Sequence, residues 1–442
     1  MTSIAKKRTR IRRLSLLAAL VAVVTLTAAG CGTSGTDAAS SGTITLSFLS
    51  YNYGTADLGG QGTQQLIDEF EAANPAIKIE PQGVAVADVL TKLRSSALGG
   101  NGFDVAQVGW SKMAVAYQSL PITPVQKIAP AQDWQDTAAG FNQAVLKATQ
   151  HDGMTVAMPY TMSIPTLFYN ANLFRAAGLD PADPPATMDQ VRADALAIVQ
   201  HGAQGVYFDV ANASKSDFLT QSLVDSNGGS VVDADGKVTL DQPPAVQALQ
   251  TMADLTRSAA QPGVKEADAL AAFKAGKLGM LVTSTAVLTG LDSAAAGKFP
   301  VLATGFPSFG DKAPRPTYSG AGLVVLSKDT AKQQAAWKFI QFLTSAQAFT
   351  TITTKIGYLP LRPSVVTDPR YLKTYFDSDK RLLPALHQLD TLTPYTFFSG
   401  PKADQAVQAL QDQAVAPIAL QGADAQQTLH AVAGTIRGLL GQ

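Results

Sequence analysis

Residues 156–188 read VAMPYTMSIPTLFYNANLFRAAGLDPADPPATM, and this stretch limits the fold more tightly than any other. A short apolar run, Val156-Ala157-Met158, meets Pro159-Tyr160. Proline removes a ladder donor, so a strand passing this point must end, bend or lie at a sheet edge. A second apolar run, Pro165 to Tyr169, follows after the polar kink Thr161-Met162-Ser163. Asn170 then caps a short helix through Leu173-Phe174, Gly178 closes it, and Pro181, Pro184 and Pro185 stop it from continuing. Two strand-like pieces joined by a polar kink describe a chain crossing from one lobe to another, with Tyr160 and Ser163 facing the gap. The competing reading is an ordinary strand-turn-helix inside one core.

The segments before it establish the layer type. Residues 44–49 (ITLSFL) alternate as a half-buried strand, residues 63–73 carry Leu66, Ile67 and Phe70 at helical spacing, and Ile77-Lys78-Ile79 alternates again. Strand, helix, strand is a βαβ unit, so a parallel sheet begins here. A helix over residues 86–97 and a strand over residues 103–109 follow. Tyr51 and Trp110 each stand just past a strand's carboxyl end, where open α/β sheets bind ligands. Packing alone also puts tyrosine at strand ends. Further along, Asp235-Gly236 marks a hairpin within residues 231–240. The strand at residues 280–282 ends in Thr283-Ser284-Thr285, and a Pro/Gly-rich crossing spans residues 306–316.

The formal charge of zero conceals an asymmetry. Of 34 basic residues, six (Lys6, Lys7, Arg8, Arg10, Arg12, Arg13) fall in the first 30 positions, which hold no acid, so the remainder carries 28 basic against 34 acidic residues. That balance gives no electrostatic reason to expect nucleic acid as a partner. A basic start and an apolar run from Leu14 to about Ala29 have the layout of an export signal. The run ends in Ala28-Ala29-Gly30 before Cys31, the only cysteine, which resembles a bacterial lipobox although Ala28 stands where Leu is commoner. A transmembrane anchor is the alternative, but the run falls short of the roughly 20 residues a span needs. Residues 1–30 are therefore expected as a lipoprotein signal peptide and 31–41 as a flexible tether, with Cys31 lipidated on the outer face of the cell membrane.

Motifs for chemistry are scarce. The histidines (His151, His201, His387, His430) show no metal-ligand spacing, and neither a G-x-S-x-G elbow nor a Walker A sequence occurs. No cofactor is expected, and no enzyme. Carboxylates are plentiful, so a glycosidase pair stays open as an alternative. What remains is a rim of Tyr, Trp, Ser, Thr and Gly without Arg or Lys. Aromatic faces suit the C–H faces of sugars, and hydroxyls suit their OH groups.

Several motifs, in order, carry a resemblance: a helix ending Asn74-Pro75; Asp104-Val105; residues 159–188; FKAGKLGM (273–280) followed by small residues; SGAGLVVLSK (319–328) with AAWKFIQFLTS (335–345); and GYLP (357–360). Together the chain resembles the solute-binding lipoproteins of ABC importers, in the group taking up oligosaccharides and glycerol-3-phosphate. The resemblance implies a two-lobed, type II periplasmic-binding-protein-like α/β fold, each lobe a mainly parallel sheet flanked by helices, with hinge strands between. Lobes are expected at 42–159 plus 312–350 and at 160–311 plus 351–442. Ser163, Ser284, Gly320 and Tyr358 match ligand-contacting positions of the subgroup, and Tyr51, Thr285, Trp110 and Tyr395 complete the expected site. Trp110 stands where an acid is usual, and Tyr395 or a neighbour where an Arg is usual. Losing the cation argues for a neutral carbohydrate or polyol. The implied partners are a membrane permease with its cytoplasmic ATPase, and the chain is expected to be a monomer. Alternatives are a glycerol-3-phosphate or glycerophosphodiester binder, a surface glycan-active enzyme, and a sensor or adhesion lipoprotein.

Overall fold

A computed structural model describes residues 42–55, 59–212, 214 and 216–442. The expected signal peptide (1–30), the tether (31–41) and Cys31 lie outside the described residues. The chain opens with β1 (Ile44–Ser50), α1 (Gly60–Ala73) and β2 (Ile77–Gly83), and β1 pairs with β2 in parallel, Ile44 opposite Ile77. The βαβ unit forms because Leu66, Ile67 and Phe70 give α1 one apolar face, which covers the sheet. Next come α2 (Val89–Leu98), β3 (Val105–Gly109) and α3 (Trp110–Ser119). The later strands are β4 (Met158–Ser163), β5 (Pro165–Asn170), β6 (Gln204–Phe208), β7 (Leu278–Ser284), β8 (Val301–Thr304) and β9 (Ser319–Val325).

Among the described residues two sheets form, ordered β2-β1-β3-β9-β4 and β6-β7-β5-β8. Strands β1, β2 and β3 are parallel, as are β6 and β7. The strands next to the crossings, β4, β5 and β9, pair antiparallel with their neighbours. The parallel character expected from the sequence therefore belongs to the βαβ portions. A strand arriving from the other lobe enters from the opposite end, and that makes both sheets mixed.

The kinked stretch is a crossing. β4 lies at the edge of the first sheet, where Pro159 costs no ladder bond, and its register slips between Pro159 and Thr161. The chain changes sheets at Ile164: β4 pairs in the first sheet as far as Ser163, and β5 pairs in the second from Pro165. A second passage precedes β9, where the Thr317 amide still donates to Ser222 of the second lobe at 3.0 Å. The third lies after 351. There the π-helical turn Ile352–Ile356 fills the space beside Gly59 and Gly62 at the start of α1. The Leu359 amide donates to the Met162 carbonyl at 2.9 Å, and Arg362 lies 4.7 Å over the Phe141 ring. Residues 352–362 thus pack against α1, β4 and Phe141. Beyond them Arg381 binds Asp292 of the second lobe.

Each lobe has its own core. In the first, Phe48, Phe70 and Phe339 meet at ring separations of 5.2 and 4.9 Å between β1, α1 and the helix Thr330–Leu343. In the second, Leu167, Phe168, Val206, Phe208 and Leu281 are buried in its sheet, and Thr187 and Gln190 form a capping box that starts the helix Met188–Gln200. The Asp235-Gly236 turn forms as read, with Gly236 at φ +78° and Val232 bridged to Val238.

Candidate functional site

The carboxyl ends of β1, β3, β4, β6 and β7 converge on one cleft between the sheets, of about 240 Å³. This is the place that the geometry of open α/β sheets favours, because loops there can splay apart without breaking the ladder. The first lobe supplies Tyr51, Ser111, Lys112, Ser163 and Gly320, and the second Asp209, Asn212, Phe218, Glu266 and Ser284. Tyr358, from the third passage, closes the floor. A larger open groove of about 760 Å³ beside Ser47, Asp104 and Lys332 lies at the other end of the first sheet. Its buried carboxylate, Asp104, already accepts from the Ser47 amide and Lys332, both at 2.9 Å, so it presents no unsatisfied group.

The cleft floor is a tyrosine pair over a buried polar network. Tyr51 and Tyr358 are 4% exposed each, and their hydroxyls hydrogen-bond to one another. Burial first, and then the neighbouring phenol, push the Tyr51 hydroxyl well above its ordinary range, so it stays a neutral donor. Beneath them Ser50 Oγ donates to Gln107 Oε1 at 2.6 Å, and Gln107 Nε2 donates to Asn52 and, at 3.3 Å, to Thr161 Oγ1. Satisfied buried amides hold the rings rigidly.

At the crossing itself, Ser284 Oγ donates to Ser163 Oγ at 2.8 Å and accepts from the Ala286 amide at 3.1 Å. On the second-lobe wall, Asp209 follows β6 and accepts the Thr283 hydroxyl at 2.9 Å. Burial, and then the Glu266 carboxylate, raise the Asp209 carboxyl well above the usual carboxylate range, against that hydrogen bond. Across the cleft, Lys112 in the first turn of α3 is held by Asp404.

Of the residues expected from sequence, Tyr51, Ser163, Ser284, Gly320 and Tyr358 line this cleft, and Trp110, Thr285 and Tyr395 do not. Trp110 is 2% exposed. Because α3 begins at this residue, its side chain turns back under the sheet, edge-on to Tyr318 at 5.9 Å and against Gly322 of β9. Thr285 is buried in a 3₁₀ turn. Tyr395 donates its hydroxyl to Asp217 and packs beside Phe397 at 5.0 Å. Tyr160, expected at the gap, is fully buried. The expectation of a rim without Arg or Lys is corrected by Lys112, which lies two positions past Trp110 and takes the place at the opening expected for that indole. The strand-end rule also points to Asp209, which directly follows β6.

One match decides the family: the family model described as bacterial extracellular solute-binding protein covers residues 65–375. The chain belongs to the bacterial extracellular solute-binding proteins. A curated relative named as a putative binding protein, from Brucella abortus (strain 2308), is 28% identical over 301 residues, 66% of this chain and 70% of its own. The sn-glycerol-3-phosphate-binding periplasmic protein UgpB of Yersinia pestis bv. Antiqua (strain Antiqua) is 24% identical over 323 residues, 68% of this chain and 71% of that one. Among solved structures, UgpB of Mycobacterium tuberculosis in complex with glycerophosphocholine aligns with a TM-score of 0.78 at 23% identity, covering 90% of this chain and 99% of that one. A cyclic alpha-maltosyl-1,6-maltose binding protein of Arthrobacter globiformis aligns at 0.75, also with 23% identity and with coverages of 90% and 99%. This solute-binding protein therefore has the two-lobed α/β fold and the importer class that its motifs resemble. Among its described residues no helix is long and apolar enough to cross a membrane.

Proposed function

We propose that this solute-binding protein captures a carbohydrate, a mono- or oligosaccharide, between its lobes and hands it to the permease of an ABC importer. Hinge closure about the three passages would bring the Asp209 wall toward the tyrosine floor, a recognised motion for two-lobed proteins. Capture and handover require no catalysis. The chain acts as a monomer, held outside the cytoplasmic membrane by acyl chains on Cys31.

The charge arrangement carries this reading. Among the described residues the cleft's cation is Lys112, which is held by Asp404, while Asp209 and Glu266 line the opposite wall. An anionic phosphate would meet the carboxyl groups of Asp209 and Glu266 and a lysine already held by Asp404, an arrangement that offers it no dedicated counter-charge among the described residues. Sugar hydroxyls find acceptors in those carboxylates and in Ser163 and Ser284, and C–H faces find Tyr51, Tyr358 and Phe218. A second reading, a glycerophosphodiester binder, draws on the UgpB relatives and on the glycerophosphocholine complex.

Titration calorimetry of the purified protein with maltose, maltotriose, glucose, glycerol-3-phosphate and glycerophosphocholine separates the two. Heat from a saccharide alone is expected. Binding confined to the phosphate-bearing compounds would overturn the carbohydrate reading.

A further inference from the structure

The cleft is closed at its α3 end. Ser111, in the first turn of α3, lines the cleft on one side. On the other it borders a residual space of about 10 Å³, walled by Tyr395, Phe397, Phe398 and Val407. A second space behind α3, between Trp110, Tyr318 and Phe397, measures about 40 Å³. Spaces of this size hold no more than about one and about three waters, at roughly 10–15 Å³ each, and so exclude a sugar ring. Lys112, next to Ser111, lines the cleft and joins Asp404 of the helix Ala403–Ala409, a bar across the same end. The sealing segment is anchored from behind. Tyr395 donates its hydroxyl to Asp217, the Thr396 amide donates to Gln221 Oε1 at 3.0 Å, and Gln221 Nε2 donates to the Thr396 carbonyl at 2.9 Å. Moving it aside would break buried hydrogen bonds, which are costly to leave unmade.

The other margin differs. Val86 and Val89 follow β2, two strands along the sheet from β3 and α3, and Val86 is 38% exposed. With Val287 they form an apolar lip, so a hydroxylated chain passing there reaches solvent without gaining a side-chain hydrogen bond. The cleft's volume of about 240 Å³ falls below the roughly 300–1,000 Å³ of pockets that bury drug-sized molecules, and a trisaccharide is of that size. A sugar ring seated against the Lys112–Asp404 bar has one way out, so it can carry a glycosidic bond on one side only. Resting on the carbohydrate reading above, we propose that the cleft reads the end of a saccharide: a terminal sugar lies against Lys112–Asp404, no more than one further ring is held inside, and any longer chain leaves past Val86. Lys112 and Asp404 determine this specificity by closing a path.

Titration calorimetry of the purified protein with glucose, maltose, maltohexaose, α-cyclodextrin and glycerophosphocholine tests the proposal. α-Cyclodextrin contains the same units as maltohexaose closed into a ring, so it has no end. Affinity is expected to level off by the disaccharide, with maltohexaose within about threefold of maltose. α-Cyclodextrin should bind at least about tenfold more weakly than maltohexaose, because seating it would force packed side chains apart. In the double variant Lys112→Ala, Asp404→Ala, that ratio should narrow at least about threefold, with a cooperative thermal transition showing that the variant is folded. Three results would each overturn the closed end and leave the carbohydrate reading standing: α-cyclodextrin binding as tightly as maltohexaose, affinity rising about tenfold or more from maltose to maltohexaose, or a ratio unchanged in the folded double variant. Absence of heat from every saccharide, with or without a response to glycerophosphocholine, would overturn both.

Discussion

Replacing Gly320 by alanine tests the crossing and the cleft together. Gly320 is the second residue of β9, opposite Met162 of β4, and its φ is +111°. A β-carbon there would stand 2.1 Å from the Thr161 carbonyl oxygen, 2.7 Å from its carbon and 2.9 Å from Met162 Cα. All three are backbone atoms, so no side chain can rotate away and the two strands must separate. The left-handed backbone costs a residue with a β-carbon about 1–3 kcal/mol, and forcing the packed strands apart costs about 1–3 kcal/mol more. Gly320→Ala should therefore lose about 2–6 kcal/mol by these two costs together. Gly290 is the matched control. It sits inside the helix Leu288–Ala295 with nothing within 4 Å of an added carbon, so Gly290→Ala should gain about 0.5–1 kcal/mol. Urea unfolding followed by tryptophan fluorescence suits the comparison: Trp110 lies under β9 and Trp337 packs beside Trp134 in the first lobe, so emission reports on the lobe under strain. A Gly320→Ala protein within about 1 kcal/mol of the wild type would show that β4 and β9 can part at little cost, and would refute the reasoning.

Two further outcomes follow from burial. Trp110→Ala should behave as a core deletion, costing about 3–5 kcal/mol in the same urea assay; a fully stable variant that had only lost ligand would return Trp110 to the cleft. Asp217 is buried and held up to about 6, chiefly by burial, against an ordinary 3.8. The folded state takes up that proton first, so this carboxyl's stabilising contribution is complete below pH ~4 and is lost as the pH rises through ~6. Asp217→Asn lacks that loss, so its stability relative to the wild type should rise by about 3 kcal/mol between pH 4 and pH 7.5; parallel pH profiles would contradict the assignment.

The local elements were legible because their signals are local. Leu66, Ile67 and Phe70 mark α1 by spacing, Asp235-Gly236 marks a turn by conformational preference, and Pro159 forecasts an edge position or a bend, of which β4 shows both the edge and the slip. Tyr51, Ser163 and Ser284 were reachable through the strand-end rule, since a strand's carboxyl end is a local property and the cleft is built from such ends. Trp110 shows where the rule stops. The residue after a strand can face the cleft or begin a helix, and the first turn of α3 sends Trp110 beneath the sheet while Lys112 lines the opening.

The sequence by itself determined the repeating strand-helix units, the polar kink through which the chain passes between lobes, and the family to which the chain belongs. Each depends on residues close together along the chain, where periodicity and turn chemistry act directly. Only the tertiary structure decided that residues 352–362 pack against α1, β4 and Phe141, that Lys112 is tied to a residue 292 positions away, and that Asp209 is buried at the second-lobe wall with Thr283 as its donor. Charge pairing and burial act through space, between segments whose separation along the chain carries no trace of their contact.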